Sequence, residues 1–117
     1  MVGMLLMACS VALGAFGAHA LKATLEASGR TETFELAVRY MTVHSLALIL
    51  FGLLMDKYPG LLKAAALLFM GIVFFSGSLL VLALADQPLW GAVAPLGGTA
   101  LILGWLTACW TVFQSKS

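Results

Sequence analysis

Four long stretches without charged side chains constrain this sequence more than any other feature. The stretches cover residues 1–21, 40–55, 64–85 and 87–115, and all of them lack Asp, Glu, Lys and Arg. Only 9% of all residues are charged and the mean hydropathy is +1.08, whereas roughly a quarter of the residues in a soluble domain are charged. Because about 20 apolar residues cross a bilayer as a helix, the chain has room for four crossings and for no separate extramembrane domain.

These stretches predict an all-α fold, an integral membrane four-helix bundle that forms one domain over residues 1–117. Strands are excluded because an open sheet leaves backbone groups unpaired in lipid, and because the alternation typical of a membrane barrel is missing. The predicted membrane-spanning helices cover about 2–21, 38–56, 62–85 and 92–113.

The connection between the first two spans has helix start and stop signals of its own. It predicts a short amphipathic helix at the membrane surface over residues 22–28, with Gly29 as its C-cap. Thr31 is expected to N-cap the next helix, and Glu32 lies in the first turn of that helix, where the helix dipole favours an anion. The loops of the predicted bundle are therefore short.

An even number of spans places both termini on the same side of the membrane, and Lys and Arg indicate which side. The side with the termini has Lys57, Lys63 and Lys116, and the other side has Lys22, Arg30 and Arg39. We take Arg39 to lie inside the protein, where it does not act as a topological signal. This interpretation favours termini in the cytoplasm.

The polar side chains of the predicted spans fall in one half of the membrane, next to the 22–37 loop. His19 lies within about one turn of that surface, and His44 lies about one and a half turns inside Arg39. The same half contains Ser76, Ser78 and Thr99. Because an unpaired polar group in hydrocarbon costs several kcal/mol, these groups are expected to face each other across the bundle.

This polar cluster is the candidate ligand-binding site. Tyr40 lies one turn from His44, and Glu35 and Arg39, spaced as an i, i+4 ion pair, lie at the rim. Two interpretations stay open, namely hydrogen bonds that hold the helices together and a site for a proton, lipid or small molecule. The two histidines also leave a bis-histidine haem site as a further alternative. We find no catalytic or metal-binding motif, so no catalytic residue, metal or cofactor is predicted.

Small residues at intervals of four predict close helix packing. In lipid, such residues let two backbones approach, which replaces the hydrophobic driving force that is absent there. The first stripe is Ser10, Gly14 and Ala18, and the second is Ala100, Gly104 and Ala108. The spacing leaves open whether the stripes join helices of one chain or of different chains.

Four groups of residues, in order along nearly the whole chain, resemble a known family. They are ALGAFGAH at 12–19, Tyr40 with His44, FSGSL at 75–79, and Trp90 with Pro95, Gly97, Gly98, Gly104 and Trp105. Together they are similar to the YgdD/YwdK-like small membrane proteins, the domain-of-unknown-function family numbered 423, whose eukaryotic relatives are called transmembrane protein 256. The resemblance implies four transmembrane helices and a place in the bacterial inner (plasma) membrane, and it implies no activity.

The sequence therefore predicts a small inner-membrane protein that is not an enzyme. We favour an accessory or assembly component that works through helix contacts, with the lipid bilayer, itself or other membrane proteins as partners. The alternative is a small carrier or binding protein that uses the polar cluster, and a haem carrier is a further alternative. Nucleic acid is excluded as a partner because a net charge of +1 provides no steering field.

Overall fold

The computed structural model describes residues 1–85 and 88–115, and every regular element in these two ranges is a helix. Helix α1 (residues 2–20) consists of Val2–Ala12, a π-helical turn Leu13–Gly17 and Ala18–Ala20. The later elements are α2 (Lys22–Ser28), α3 (Thr31–Leu54), α4 (Leu61–Ala85, with a π-helical turn at Ile72–Ser76), a 3₁₀ turn Pro88–Ala92 and α5 (Ala94–Ser115).

Three helical stretches are long and apolar enough to cross a membrane. They are α3, α4 and the stretch Leu89–Ser115 that contains α5. The pair formed by Val2–Gly17 and α2 provides a fourth when it is counted as one bent span, although α2 turns away by 82°. The predicted fold class, an all-α bundle of membrane helices with one surface segment between the first two spans, is confirmed.

The turn between α1 and α3 agrees with its prediction at Gly29 and differs from it at Thr31. Gly29 has a φ of 71°, the left-handed conformation expected of a glycine C-cap. Thr31, however, is not the N-cap, because Arg30 holds that position without a side-chain hydrogen bond and Thr31 is the first helical residue. Helix α3 includes the polar turns that precede the predicted span 38–56, because no glycine or proline separates them from the apolar run.

The spans pack in chain order, each antiparallel to the next. Helix α1 packs mainly on α3, α3 on α4, and α4 on α5. Helix α4 is therefore the central helix, and 44% of its apolar window is buried inside the chain, against 28% for α3 and for the stretch that contains α5. The main core cluster lies between these helices and includes Phe51, Leu61, Ala64, Leu68, Ile72 and Leu101.

Helices α4 and α5 touch through their backbones. A Cβ atom added to Gly97 would lie 2.2 Å from the backbone nitrogen of Phe75, and one added to Gly104 would lie 2.7 Å from Cδ2 of Leu68. Real side chains do not approach so closely, so only glycine fits at 97, whereas a side chain at 104 would have to displace the flexible end of Leu68. These glycines let the helices approach as small-residue packing in membranes requires.

Both stripes of small residues face neighbouring helices of the same chain. On α5, Gly104 and Ala108 are buried, whereas Ala100 is half-buried and Gly97 takes the close contact instead. On α1, Ser10 is buried against α3, and a Cβ on Gly14 would contact Val38. The side chain of Ala18 lies outside the described residues.

Replacing Gly97 by alanine should destabilise the fold, because the new methyl group would meet backbone atoms that cannot move aside. We expect a loss of about 1–3 kcal/mol in the free energy of unfolding, measured by SDS titration in mixed micelles. Gly52→Ala is the matched control, since nothing lies within 4 Å of its added Cβ. Equal stability of the two variants would contradict the contact between α4 and α5.

Candidate functional site

His44 is buried in α3, and both of its ring nitrogens are engaged. Its Nδ1 lies 2.8 Å from the carbonyl oxygen of Tyr40, and the indole Nε1–H of Trp105 donates to its Nε2 over 3.0 Å. A carbonyl only accepts and an indole only donates, so the ring carries its hydrogen on Nδ1. Through this imidazole, α3 is hydrogen-bonded to α5.

Aromatic rings extend this contact across three helices. Tyr40 stacks on His44 with 5.8 Å between ring centroids and lies 4.6 Å from the ring of Phe75 on α4. On the other side, Trp105 meets the edge of Phe51 at 5.5 Å. An open groove of about 380 Å³ runs along the outer side of these rings, lined by Arg39, Tyr40, Val43, His44 and Trp105.

Serine hydroxyls join the spans at two further places. Ser76 of α4 donates to the carbonyl oxygen of Ala37 on α3 over 2.9 Å. Ser10 of α1 donates to the carbonyl oxygen of Val38 over 3.3 Å and is also hydrogen-bonded to the hydroxyl of Thr42. These bonds hold α3 between its two neighbours.

Two other serines are buried without a described role in these links. Ser78 lies in the interior of α4. Ser45 of α3 is completely buried, and its hydroxyl has no hydrogen-bond partner among the residues that the structure describes. An unpaired hydroxyl in such a place contributes nothing to offset its burial.

His19 lies apart from His44. Its side chain is exposed and lines a polar groove of about 280 Å³ at the junction of α1, α2 and α3, together with Lys22, Leu25, Glu26, Thr31, Phe34 and Glu35. His19 is thus level with the first turn of α3, whereas His44 lies about 20 Å further along that helix. The expectation that the two histidines share one half of the membrane and face each other is therefore corrected.

The remaining members of the predicted cluster are also separate. Thr99 is exposed and donates to the carbonyl oxygen of Pro95 in its own helix over 2.9 Å. Glu35 and Arg39 are exposed and line a shallow groove of about 360 Å³ with Glu32 and Leu36. Neither charge has an ion partner within the described part of the chain, so the expected Glu35–Arg39 pair is not formed.

The polar side chains thus occupy several places in the bundle rather than one cavity. His44, Ser76 and Thr99 each have a partner of their own, and these partners lie at different places in the bundle. A haem site needs a free imidazole nitrogen on each ligand, and both nitrogens of His44 are engaged. Among the described residues, no group of three or more His, Cys, Asp or Glu side chains is placed to hold a metal ion.

Sequence reasoning missed Trp105 as the hydrogen-bond partner of His44 and Ser45 as a buried hydroxyl. A tryptophan in the middle of a span carries an N–H that needs an acceptor. The ring nitrogen of His44 is such an acceptor, so a search for partners of the indole group could have found this pair. The orphaned hydroxyl of Ser45 has no comparable signal, because a serine in a span usually bonds its own helix.

The fold and these contacts define the class of the protein: a small multi-pass membrane protein whose helices are tied by internal polar contacts. A family model described as "Protein of unknown function (DUF423)" matches residues 13–98, and the chain belongs to this family.

Several curated relatives match most of the chain. The UPF0382 membrane protein SH2409 of Staphylococcus haemolyticus is 40% identical over 114 residues, which cover 97% of this chain and 93% of the relative. YwdK of Bacillus subtilis is 39% identical over 83% of this chain and 80% of its own, and the inner membrane protein YgdD of Escherichia coli is 38% identical over 81% and 73%. No solved structure matches significantly.

These relatives agree with the resemblance seen in the sequence. They are named membrane or inner membrane proteins, and these names state no enzymatic activity. The chain is thus a small multi-pass protein of the bacterial inner membrane.

Replacing Trp105 by phenylalanine should destabilise the bundle by about 0.6–1.7 kcal/mol, the range of hydrogen bonds between membrane helices. The aromatic contact with Phe51 is retained, whereas Nε2 of His44 loses its donor. Trp110→Phe is the control because Trp110 is exposed. The measurement is again SDS titration, and equal effects of the two variants would argue against the link between α3 and α5.

The two buried serines should respond differently to alanine. Ser76→Ala removes the hydrogen bond to Ala37 and should reduce the free energy of unfolding by about 0.6–1.7 kcal/mol. Ser45→Ala removes a hydroxyl without a described partner and should leave stability unchanged or slightly higher. A Ser45→Ala variant that loses as much stability as Ser76→Ala would show that the Ser45 hydroxyl is paired after all.

Proposed function

We propose that this protein is a non-enzymatic accessory component of the inner membrane that works by docking against another membrane-embedded chain. The proposal is carried by one observation, which is that charged side chains lie on an outward face of a membrane-spanning helix without ion partners among residues 1–85 and 88–115. The interior side chains of Ser10, Ser76 and Trp105 are hydrogen-bonded to a neighbouring helix and therefore hold the bundle together.

The outward face of α3 follows a regular helical spacing. Its exposed members, called here the α3 face, are Glu32, Glu35, Arg39, Val43, Leu46, Leu50 and Leu53. The three charged residues occupy the half of the helix next to α2, and the apolar residues occupy the other half. Glu32, Glu35 and Arg39 have no ion partner in the described part of the chain.

Packing with the neighbouring helices supports a position of Arg39 within the spanning part of α3. The adjacent Tyr40 contacts Phe75, which lies at the centre of the uncharged run of 64–85. On the other side, Ser10, near the middle of α1, is bonded to the carbonyl oxygen of Val38. The hydrogen bond from Trp105, in the middle of α5, puts His44 near mid-depth as well. Mid-depth therefore falls between Arg39 and His44, and the Cα atom of Arg39 lies within about 8 Å of it.

If the membrane surface lay on the other side of Arg39, so that Arg39 was in water, exposed apolar side chains would be in water as well. Phe16 of α1 is 74% exposed and lies between Arg39 and the loop end of the bundle, as do the exposed side chains of Val81 and Leu84 on α4. The uncharged run of α4 is also only about long enough to cross the hydrocarbon once. Arg39 and Glu35 therefore belong to the spanning part of the protein.

A lone charged residue in this position is costly. An arginine at the centre of a spanning helix costs about 2.5–3.5 kcal/mol on insertion scales, and such residues usually face a partner or a water-filled cavity. Another helix that brings opposite charges to the α3 face removes most of this cost. Docking through α3 thus accounts for charges that the isolated chain leaves without partners.

A second candidate is a carrier or binding protein for a small polar ligand. It is favoured by the groove beside α2, where His19, Lys22, Glu26 and Glu35 surround about 280 Å³. This groove is separate from His44, Ser76 and Thr99, so a ligand there would not use the interior polar groups. A ligand whose binding is abolished by His19→Ala but not by His44→Ala would favour this candidate.

The docking proposal predicts site-specific capture in intact membranes. A photoreactive benzophenone amino acid at Leu46, on the α3 face, should form a protein adduct, because the partner covers this position. The same group at Val73, which is exposed on α4, should react mainly with lipid. Protein adducts of equal yield from both positions, or free monomer alone from Leu46, would contradict docking through α3.

A further inference from the structure

We infer that the chain docked on the α3 face is a second copy of the same protein, related by a twofold axis along the membrane normal, with Arg39 of each copy paired to Glu35 of the other. This inference rests on the proposed docking function and identifies its partner. Glu35 also lines the groove beside α2, but His19, Lys22 and Glu26 of that groove take no part in the proposed pair.

The charge pattern of the α3 face is complementary to itself. A twofold contact brings the same patch of both copies together, so the patch must contain both halves of each interaction. Glu35 and Arg39 provide opposite charges one turn apart on one face. A face with charges of one sign would repel its own copy, whereas this face carries both signs.

The direction of the arginine side chain fits such a pair. Side chains on a helix lean towards its N-terminus, so the guanidinium of Arg39 extends towards the level of Glu35, about 6 Å away along the axis. When two copies of α3 lie side by side in the same orientation, Glu35 leans the same way, but the arginine side chain is longer, so its guanidinium reaches towards the Glu35 carboxylate of the other copy. Two ion pairs form, one on each side of the axis.

The surroundings of Arg39 leave room for a neighbouring helix. Open grooves of about 380 and 360 Å³ adjoin it, one lined by Val43, His44 and Trp105 and the other by Glu32, Glu35 and Leu36. Towards the C-terminus of α3, exposed Val43, Leu46 and Leu50 form an apolar surface that can contact the same residues of the second copy. The α3 face thus matches a second α3 along its length.

A lipid headgroup fits this face less well. The phosphate of a phospholipid lies at the membrane surface, whereas Arg39 lies on the spanning part of α3, about two turns inside its N-terminal end. The carboxylates of Glu32 and Glu35 line the same groove as Arg39 and would repel a phosphate. A chain that brings both a carboxylate and a guanidinium satisfies all the charges of the face, and a lipid does not.

Cysteine crosslinking in native membranes tests the contact. The two native cysteines are free and exposed, so both are first replaced by serine in the full-length chain. Val43→Cys on the α3 face should form disulfide-linked dimers at about ten times the yield of Val73→Cys on α4, which corresponds to a preference of about 1.4 kcal/mol for the proposed contact. The control is matched, because Val43 is 51% and Val73 is 48% exposed and both lie near the depth of the contact between Tyr40 and Phe75.

Charge reversal tests the pairing itself. Glu35→Arg alone or Arg39→Glu alone should lower the yield of Val43→Cys dimers about tenfold, because each places like charges across the axis. Both reversals in one chain should restore the dimer. Chains with Glu35→Arg and chains with Arg39→Glu, coexpressed with different tags, should form mixed dimers in preference to dimers of either kind alone. Dimers restored by the double reversal, and mixed dimers of the two single variants, would show that the single variants still fold and have lost only the contact.

The possible failures are distinguishable. If Val43→Cys gives no more dimer than Val73→Cys while the probe at Leu46 captures another protein, the second copy is wrong and the docking function stands. If the Leu46 probe yields only monomer as well, both proposals fail. Dimers that form at Val43 but do not respond to either single reversal would overturn the reciprocal ion pairs.

Discussion

Inside a bilayer a polar atom has no water to bond, and this constraint governs how the helices of this protein are arranged. The imidazole of His44, the indole of Trp105 and the hydroxyl of Ser76 each find a partner on a neighbouring helix or turn. Apolar burial cannot select these neighbours, because lipid tails are as apolar as leucine. Directional polar contacts and close backbone approach at Gly97 and Gly104 therefore determine which helix faces which.

Much of the fold could be predicted because the length of an apolar run is a direct physical measure of a membrane span. The uncharged run of 64–85 corresponds to α4, Leu61–Ala85, within a few residues. The short helix 22–28 and its glycine cap were also predicted, because positive φ at Gly29 is a local property of the chain. Elements set by local chemistry or by the thickness of the bilayer can thus be read from one sequence.

The rotation and depth of the helices could not be predicted, and one error explains most of the misplaced site. Measuring the depth of His44 from Arg39, with the second span starting at 38, put His44 close to the same surface as His19. Helix α3 instead continues for about two turns beyond Arg39 towards α2. The residues on either side of Arg39 contact Ser10 and Phe75 of the neighbouring helices. Such contacts depend on the other helices and leave no mark in the pattern of α3 alone. For the same reason, a spacing of four residues suggested Ala100, whereas the close backbone contact falls at Gly97.

Arg39 also links the association of the protein to its orientation. Lysine and arginine residues are equally divided between the two sides, three against three, when Arg39 is counted as a loop charge. Arg39 is exposed on α3, so its own chain does not neutralise it, and a charge in contact with lipid is costly within the span. In the proposed dimer, Glu35 of the second copy neutralises Arg39 and stabilises it at that depth. The count then favours the side with Lys57, Lys63 and Lys116. Association through the α3 face and termini in the cytoplasm are therefore coupled expectations, because the ion pair stabilises the depth at which Arg39 is not a loop charge.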